Sequence, residues 1–381
     1  MGGTATVANI LAKSFISRGH FCALGYMENS EHPSIFFSHK IKLVNGNRRN
    51  AEIFFQEHQF DIILDQLANI TDFTFLLSLP LGNCKIISAY HSRPMFHYSM
   101  LETLLRIYSD SNNWLYKLYT LAKIPLIPLF RIKSRRKEEK VFKNINNSSD
   151  KILLLSGNFF RNWTGLISGT DSSKLVAIGN PLVFDNSLPI EDIELKEKLV
   201  IVIYSNPAKR AHLLLQIWKR IEVDARFNSW RFEFIGEGEG YSQILKLAKR
   251  NNLKRITFTG YQNTLPYYKR ASIMMMTSKY EGWPMVLMEG QQMGVVPISY
   301  NSYESITDII TDGENGIIIP NNDMDCFVVK LKELMLNESK RKQMAIKAIH
   351  SSERFTLEKV TEKYLNLFTH LINEKKKIDF D

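Results

Sequence analysis

Short apolar runs alternate with amphipathic stretches along most of this chain, and that alternation limits the fold more than any other feature. The runs are Phe21–Tyr26, Asp61–Asp65, Lys85–Ala89, Ile152–Leu155 and Lys174–Ile178 in the first half. In the second half they are Leu199–Tyr204, Arg231–Ile235, Arg255–Thr259, Ile273–Met276, Val295–Ser299 and Gly316–Ile319. Each has the length of a strand, and helical patterns lie between most of them. Parallel neighbours need a crossover, and the crossover helices bury both faces of the sheet, so the pattern predicts α/β architecture. Eleven strands are too many for one such sheet in 381 residues, which points to two α/β units. The natural break is "NPLVFDNSLPIEDIELKEK", residues 180–198, with two prolines and little apolar periodicity. From Asp323 to Glu374 the pattern is two or three helices, and the lysine run Lys375–Lys377 follows.

Hydrophobic residues make up 44% of the chain and charged residues 23%, a globular composition. No run of about 18 apolar residues is present, so no spanning helix is expected. Cys22, Cys84 and Cys326 are odd in number and widely spaced, which argues against a disulfide framework or a zinc site. The histidines are scattered, and no metal-ligand constellation emerges. Together these features suit a reducing, cytoplasmic setting. The net charge of +10 fits three partners: nucleic acid, an anionic membrane surface or a phosphorylated substrate. With no helix-turn-helix, zinc-finger or aromatic RNA-binding signature, nucleic acid is the least supported of the three.

One segment stands outside the alternation: "NNWLYKLYTLAKIPLIPLFRIKSRRKEEK", residues 112–140. It mixes Trp114, Tyr116, Tyr119, Ile127 and Phe130 with Lys117, Lys123, Arg131, Lys133, Arg135, Arg136 and Lys137, and Pro125 and Pro128 interrupt it. An apolar-basic mixture of this kind suits a membrane surface, such as the inner face of a plasma membrane. A helix packed on the core and followed by a solvated charged face has the same pattern.

The stretch richest in candidate chemistry is "SKYEGWPMVLMEGQQMG", residues 278–294. It follows a buried-strand run, "SIMMMTS", and leads into a helical pattern. Pro284 suits the first helical position, where a missing N–H costs nothing, and Gly294 suits the helix end. Glu281 and Gly282 therefore sit on the turn that leaves a strand's carboxyl edge, where open α/β sheets bind ligands. The helix start offers N–H groups suited to phosphate. Glu289 falls in the second turn of the helix, roughly 8–10 Å further along by helix rise, so the two carboxylates would grip different parts of one elongated ligand. A dipole-complementing Glu281 and a surface Glu289 give the same pattern.

The Glu-Gly-Trp-Pro…Glu pattern resembles the Glu-x7-Glu motif of retaining glycosyltransferase family 4, whose members have two facing Rossmann-like domains (the GT-B fold). The likeness extends in order through "GGTATVANILAKSFISRGH" (2–20), "IGNPL" (178–182), "IGEGEGYSQILKLAKRNNLKRITFTGY" (235–261), "LPYYKRASIMMMTS" (265–278) and "ESITDIITDGENGIIIP" (304–320). The resemblance implies an amino-terminal acceptor-binding domain over 1–182, a nucleotide-sugar-binding domain over 183–355, and a carboxy-terminal helix and tail over 356–381 returning to the first domain. It implies that Glu289 accepts hydrogen bonds from ribose hydroxyls and Glu281 from the donor sugar. The backbone of Gly282, Trp283, Pro284 and Met285 would face diphosphate or sugar. Lys209, in "SNPAKRAHLLLQIW", matches a diphosphate-binding lysine, with Arg210 assisting. His91, in "SAYHSRP", matches a histidine facing the donor sugar. Gly3 matches a loop approaching donor phosphate and acceptor. Gly236 reads first as a turn residue and second as a donor contact.

Two departures stand out. The family places an arginine about five residues before the lysine, where this chain has Tyr204 or Ser205, leaving Arg210 or Arg93 as substitutes. The family pattern also begins with a strand before the glycine loop, whereas this sequence opens on the loop, so the first strand is missing from it. The implied activity is retaining, metal-independent transfer of a hexose-type sugar from a nucleoside-diphosphate donor, UDP slightly favoured, to a saccharide or lipid-linked saccharide. Cell-surface polysaccharide or lipopolysaccharide synthesis is its setting, and no cofactor beyond the co-substrate is expected. A sugar-nucleotide epimerase of the same fold and a non-catalytic carbohydrate-binding relative are the alternatives.

Overall fold

The computed structural model describes residues 3–26, 37–66, 73–95, 114–167 and 169–378. The chain divides into two compact units. One, here the amino-terminal unit, holds Ala23–Ala177 and His370–Asp381; the other, the carboxy-terminal unit, holds Met1–Cys22 and Ile178–Thr369.

In the amino-terminal unit, β1 (Ala23–Tyr26) pairs in parallel with β2 (His39–Lys42). A separate parallel sheet runs in the order β3 (Ile62–Asp65), β4 (Lys85–Tyr90), β5 (Lys151–Leu154), β6 (Leu175–Ala177). Asp150 pins β4 beside β5: one carboxylate oxygen accepts from the Ile86 N–H at 2.8 Å and the other from Lys85 Nζ at 2.9 Å. The core beside the sheet is a three-ring cluster of Tyr90, Phe142 and Trp163, with centroids 5.2–5.6 Å apart. Phe142 comes from the helix Ile127–Ser148, so that helix buries one face on the sheet.

The carboxy-terminal unit carries β7 (Leu199–Ile203), β8 (Arg231–Ile235), β9 (Ile256–Gly260), β10 (Ile273–Met276), β11 (Val296–Asn301) and β12 (Ile317–Pro320). All pair in parallel in the order β12-β11-β10-β7-β8-β9. The central strands β7 (LVIVI) and β10 (IMMM) are continuously apolar, as strands of a parallel sheet covered on both faces are. The chain moves outward from β7 through β9, then returns to the other side of β7 at β10. The strand order thus reverses between β7 and β10, and that reversal opens a crevice at their carboxyl ends.

Every expected strand is present within one or two residues. The apolar pattern does not anticipate β2, because "HKIK" is a polar strand with its first two residues exposed. Three helices close the chain: Met324–Leu336, Glu338–Ser352 and Leu357–Ile378. The division of the chain differs from the expected 1–182 and 183–355. The break lies at Ala177/Ile178, because residues 180–198 pack into the carboxy-terminal unit. Leu182, Leu188 and Ile193 are buried there, and Leu188 N–H donates to the Gln292 carbonyl at 3.0 Å. The first helix, Gly3–Ser17, also belongs to this unit. Its Ser14 hydroxyl bonds Thr361 at 2.8 Å, and its Phe15 ring meets Tyr364 and Phe368. The helix Leu357–Ile378 starts in this unit and continues, from His370, as part of the other.

Candidate active site

Two loops leave the sheet at the point of reversal: Tyr204–Arg210 after β7, and Thr277–Pro284 after β10. The first is built from its own sequence. The Asn206 side chain accepts from the Ala208 N–H at 3.0 Å, capping the short turn Pro207–Lys209. Arg210 then adopts left-handed backbone, φ 49 and ψ 46, before the helix Ala211–Glu222. That conformation costs about 1–2 kcal/mol for a non-glycine residue. Contacts to the second loop offset it. Arg210 Nε donates to the Thr277 carbonyl at 2.5 Å and Nη2 to the Ser278 carbonyl at 3.1 Å. Asn322 Oδ1 and Asn321 Oδ1 accept at 2.6 and 3.1 Å, and the guanidinium stacks on Tyr300. Thr277 Oγ1 returns a bond to the Lys209 carbonyl at 2.8 Å, and Lys279 N–H donates to the Ala208 carbonyl at 2.7 Å.

This lacing brings Lys209 Nζ to 2.7 Å from Glu281 Oε1. The two side chains are only 13% and 17% exposed, so their attraction is screened far less than a surface pair's. An ammonium has three N–H groups, so Lys209 can hold Glu281 and still offer two donors.

Glu289 lies in the helix Met285–Gln292 and retains some exposed surface, but its carboxylate is largely enclosed. Burial raises its pKa, while the hydrogen bond from Tyr268 and the charge of Lys209 pull it back. Tyr268 is fully buried and donates its hydroxyl to Glu289 Oε2 at 2.9 Å. A second support is Lys196, whose buried ammonium donates to the carbonyls of Tyr268 and Met293, at the ends of the helices that carry Tyr268 and Glu289. Burial lowers the Lys196 pKa to about 7. Neither Tyr268 nor Lys196 is legible as a site residue in the sequence. Tyr267 and Tyr268 adjoin on one short helix, and only packing decides which turns inward. Lys196 sits in a charged stretch that looks like a linker.

Several expected contacts take other roles. Arg210 commits its guanidinium to four acceptors, so it anchors the loops and is a poor substitute for the missing arginine. Tyr204, one of the two residues at the expected arginine's place, is buried and donates its hydroxyl to the Glu239 carbonyl. The Trp283 ring is buried against Gly179 and Phe355, with Nε1 donating to Met288 Sδ at 2.6 Å, so the side chain is committed to packing and only its backbone is left for the expected contact. Pro284 occupies the cap, one residue earlier than expected, and Met285 opens the helix, its N–H turned to the Trp283 carbonyl at 2.9 Å. Gly236 spends its N–H on the Gly260 carbonyl at 2.7 Å. Its φ of +96° lets it pass close over Tyr204, which is a turn role. Gly282 is half-exposed on the loop beside Glu281. Gly3 opens the first helix, while Gly2 lies outside the described residues.

His91 belongs to the amino-terminal unit and follows β4. Its Nε2 pairs with Gln66 Oε1 at 2.5 Å, which places the proton on Nε2. Its Nδ1 is buried and has no hydrogen-bond partner among the described residues. Burial lowers the His91 pKa to about 4, so the ring stays neutral in the folded state. An unfolded histidine titrates near 6.5. Between these values the unfolded chain binds the extra proton, so stability falls as pH drops from 6.5 towards 4, by roughly 3 kcal/mol in all. Denaturant melts at pH 7, 5 and 4 should show this slope in the wild type and a clearly shallower one in His91→Asn. Among the described residues, no cluster of three or more His, Cys, Asp or Glu is placed to hold a metal ion.

Residues 185–351 match the family model for glycosyl transferases group 1. The match covers 167 of the 381 residues, all of them in the carboxy-terminal unit. Both loops, Lys209, Glu281, Glu289 and Tyr268 fall inside the group 1 region. Amylovoran biosynthesis glycosyltransferase AmsD of Erwinia amylovora is 27% identical over 153 residues, 40% of this chain and 42% of that protein. Poly(ribitol-phosphate) alpha-N-acetylglucosaminyltransferase of Staphylococcus aureus is 27% identical over 165 residues, 42% of this chain and 33% of that protein. The matches thus span half or less of these relatives' own lengths. Among solved structures, Anabaena HepE in complex with UDP-glucose superposes with a TM-score of 0.71 at 13% identity, covering 97% of this chain and 96% of that one. That likeness shows the fold, the GT-B architecture of two Rossmann-like units.

Proposed function

We propose that the chain transfers a sugar from a nucleoside-diphosphate donor, with UDP favoured, to a saccharide or lipid-linked saccharide. The transfer retains anomeric configuration, needs no resident metal, and serves cell-surface polysaccharide or lipopolysaccharide synthesis at the cytoplasmic side. The observation that carries this reading is the Lys209–Glu281 pair at the point where the sheet order reverses. A leaving diphosphate needs positive charge where its own negative charge develops. Lys209 supplies a cation with two uncommitted donors, and the helix starting at Met285 adds its positive end. Glu281, fixed by Lys209, faces sugar hydroxyls. Glu289, held by Tyr268, takes the ribose. The names of the polymer-glycosylating relatives and the UDP-glucose in HepE support the donor class and setting.

A screen of nucleotide sugars by thermal shift tests the donor class. A ligand at about 100 times its dissociation constant adds roughly 2.7 kcal/mol, which is easily read. If no nucleotide sugar or nucleoside diphosphate stabilises the protein, the proposal fails. The roles of the two carboxylates separate by variant. Glu289→Gln should weaken free nucleotide and full donor alike by about 10- to 100-fold, since it removes charge-assisted bonds worth about 1.5–3 kcal/mol each. Tyr268→Phe should weaken both in the same direction and by less. Glu281→Gln should spare nucleotide affinity and lower turnover, because its partner is the sugar. Equal loss of nucleotide affinity in Glu281→Gln and Glu289→Gln would refute that division.

A further inference from the structure

The helices Trp114–Lys123 and Ile127–Ser148 carry the largest concentration of exposed apolar side chains among the described residues. Trp114, Leu118 and Leu121 are spaced i, i+4, i+7 and so share one face of the first helix; all three are exposed, Trp114 by 66%. Leu126 is exposed on the short turn that follows, and Leu129 and Ile132 are 65% and 50% exposed on the second helix.

The second helix shows how its outward face is composed. Ile127 and Ile145 are five full turns apart and both buried, and Phe142 lies near the same line. At 100° per residue, Leu129, Ile132, Arg136 and Lys140 fall on the opposite side. That outward face is apolar for its first two turns and basic thereafter. Residues 131–143 contain seven lysines and arginines against Glu138 and Glu139, and Glu139 is paired with Lys143 at 2.8 Å. Lys133, Arg136, Lys137 and Lys140 are all exposed. From Leu129 to Arg136 the helix rises about 10 Å, the depth over which an amphipathic helix passes from acyl chains to headgroups.

We propose that this face docks on an anionic lipid bilayer, with Trp114, Leu118, Leu129 and Ile132 entering the acyl boundary and the Arg136–Lys140 cations lying among the phosphates. The exposed face excludes the bland alternative of a wholly packed helix, and the ordered change from apolar to basic matches the layering of a membrane surface. No helix among the described residues is long and apolar enough to cross a membrane, so contact is from one side. The inference stands on this patch alone and does not depend on the sugar-transfer reading.

The test is co-sedimentation of the full chain with vesicles of phosphatidylcholine, with and without about one quarter phosphatidylglycerol. Wild type should sediment with the anionic vesicles and scarcely with the neutral ones, and 0.5 M salt should weaken the binding. Each cation near an anionic surface contributes about fivefold, so the triple variant Arg136→Gln, Lys137→Gln, Lys140→Gln should lose at least tenfold. The triple variant Trp114→Ser, Leu118→Ser, Leu129→Ser should lose a similar factor at unchanged charge. Both should melt with wild type, since every altered side chain is exposed. Fluorescence adds a local readout, because Trp163, Trp218, Trp230 and Trp283 are buried and Trp114 alone is exposed. Anionic vesicles should shift its emission to the blue, and Trp114→Phe should abolish the shift. Failure of wild type to bind anionic vesicles overturns the proposal. So does unchanged binding in either triple variant, or self-association that the apolar variant removes while no vesicle binds.

Discussion

Lys209→Met should lower the rate of sugar transfer by about 10²- to 10³-fold and leave the melting temperature within a few degrees of wild type. Losing one preorganised donor to a developing anion has about that effect. The loss should be near the upper end here, because the neighbouring cation cannot replace it. Arg210 is bound to Thr277, Ser278, Asn321 and Asn322 and stacked on Tyr300. Tyr204, which with Ser205 stands about where the resemblance would put an arginine, carries no charge, and its hydroxyl is turned to the Glu239 carbonyl. Removing Lys209 also leaves Glu281 part-buried without its counter-charge, which would repel an anionic donor. Steady-state transfer and nucleotide affinity, measured on the same preparations, check this. A variant with wild-type turnover would remove Lys209 from the chemistry. Lys209→Arg should recover little, since a planar guanidinium on a longer stem does not fit the 2.7 Å contact to Glu281.

The second large effect is structural. Gly236→Ala should cost about 2–4 kcal/mol and lower the melting temperature of the carboxy-terminal unit by about 5–10 °C. A Cβ there would stand 2.2 Å from the Tyr204 carbonyl oxygen, and φ is +96°. The obstacle is backbone, so no rotamer change relieves it, and the displaced Tyr204 begins the loop that carries Lys209. Activity should fall with stability. Gly19→Ala is the control. Its φ is +87° but nothing lies within 4 Å of the added Cβ, so it should cost only the left-handed penalty of about 1–2 kcal/mol. Thermal melts of the two variants beside wild type separate close approach from backbone preference. Equal costs would show that crowding at Tyr204 is relieved by small shifts.

What the sequence determined by itself was local and repetitive. Period and length marked eleven strands, because a strand buried on both faces must be apolar throughout and a turn must interrupt it. The polar β2 escaped for the same reason, since its pairing does not require apolar residues. The Glu281–Glu289 spacing could be read because a strand, a turn and a helix start are contiguous in the chain. Only the tertiary structure decided which residues meet across the sheet. Lys209 and Glu281 are 72 positions apart and join because β7 and β10 are neighbours. Tyr268 and Lys196 reach the Glu289 helix through packing that leaves no periodic trace in the sequence. Arg210 and Trp283 carry side chains suited to ligand contact, yet nearby carbonyls and Gly179 claim them first. A side chain's chemistry is written in the sequence, but the partner that uses it is set by chain crossings that no local pattern records.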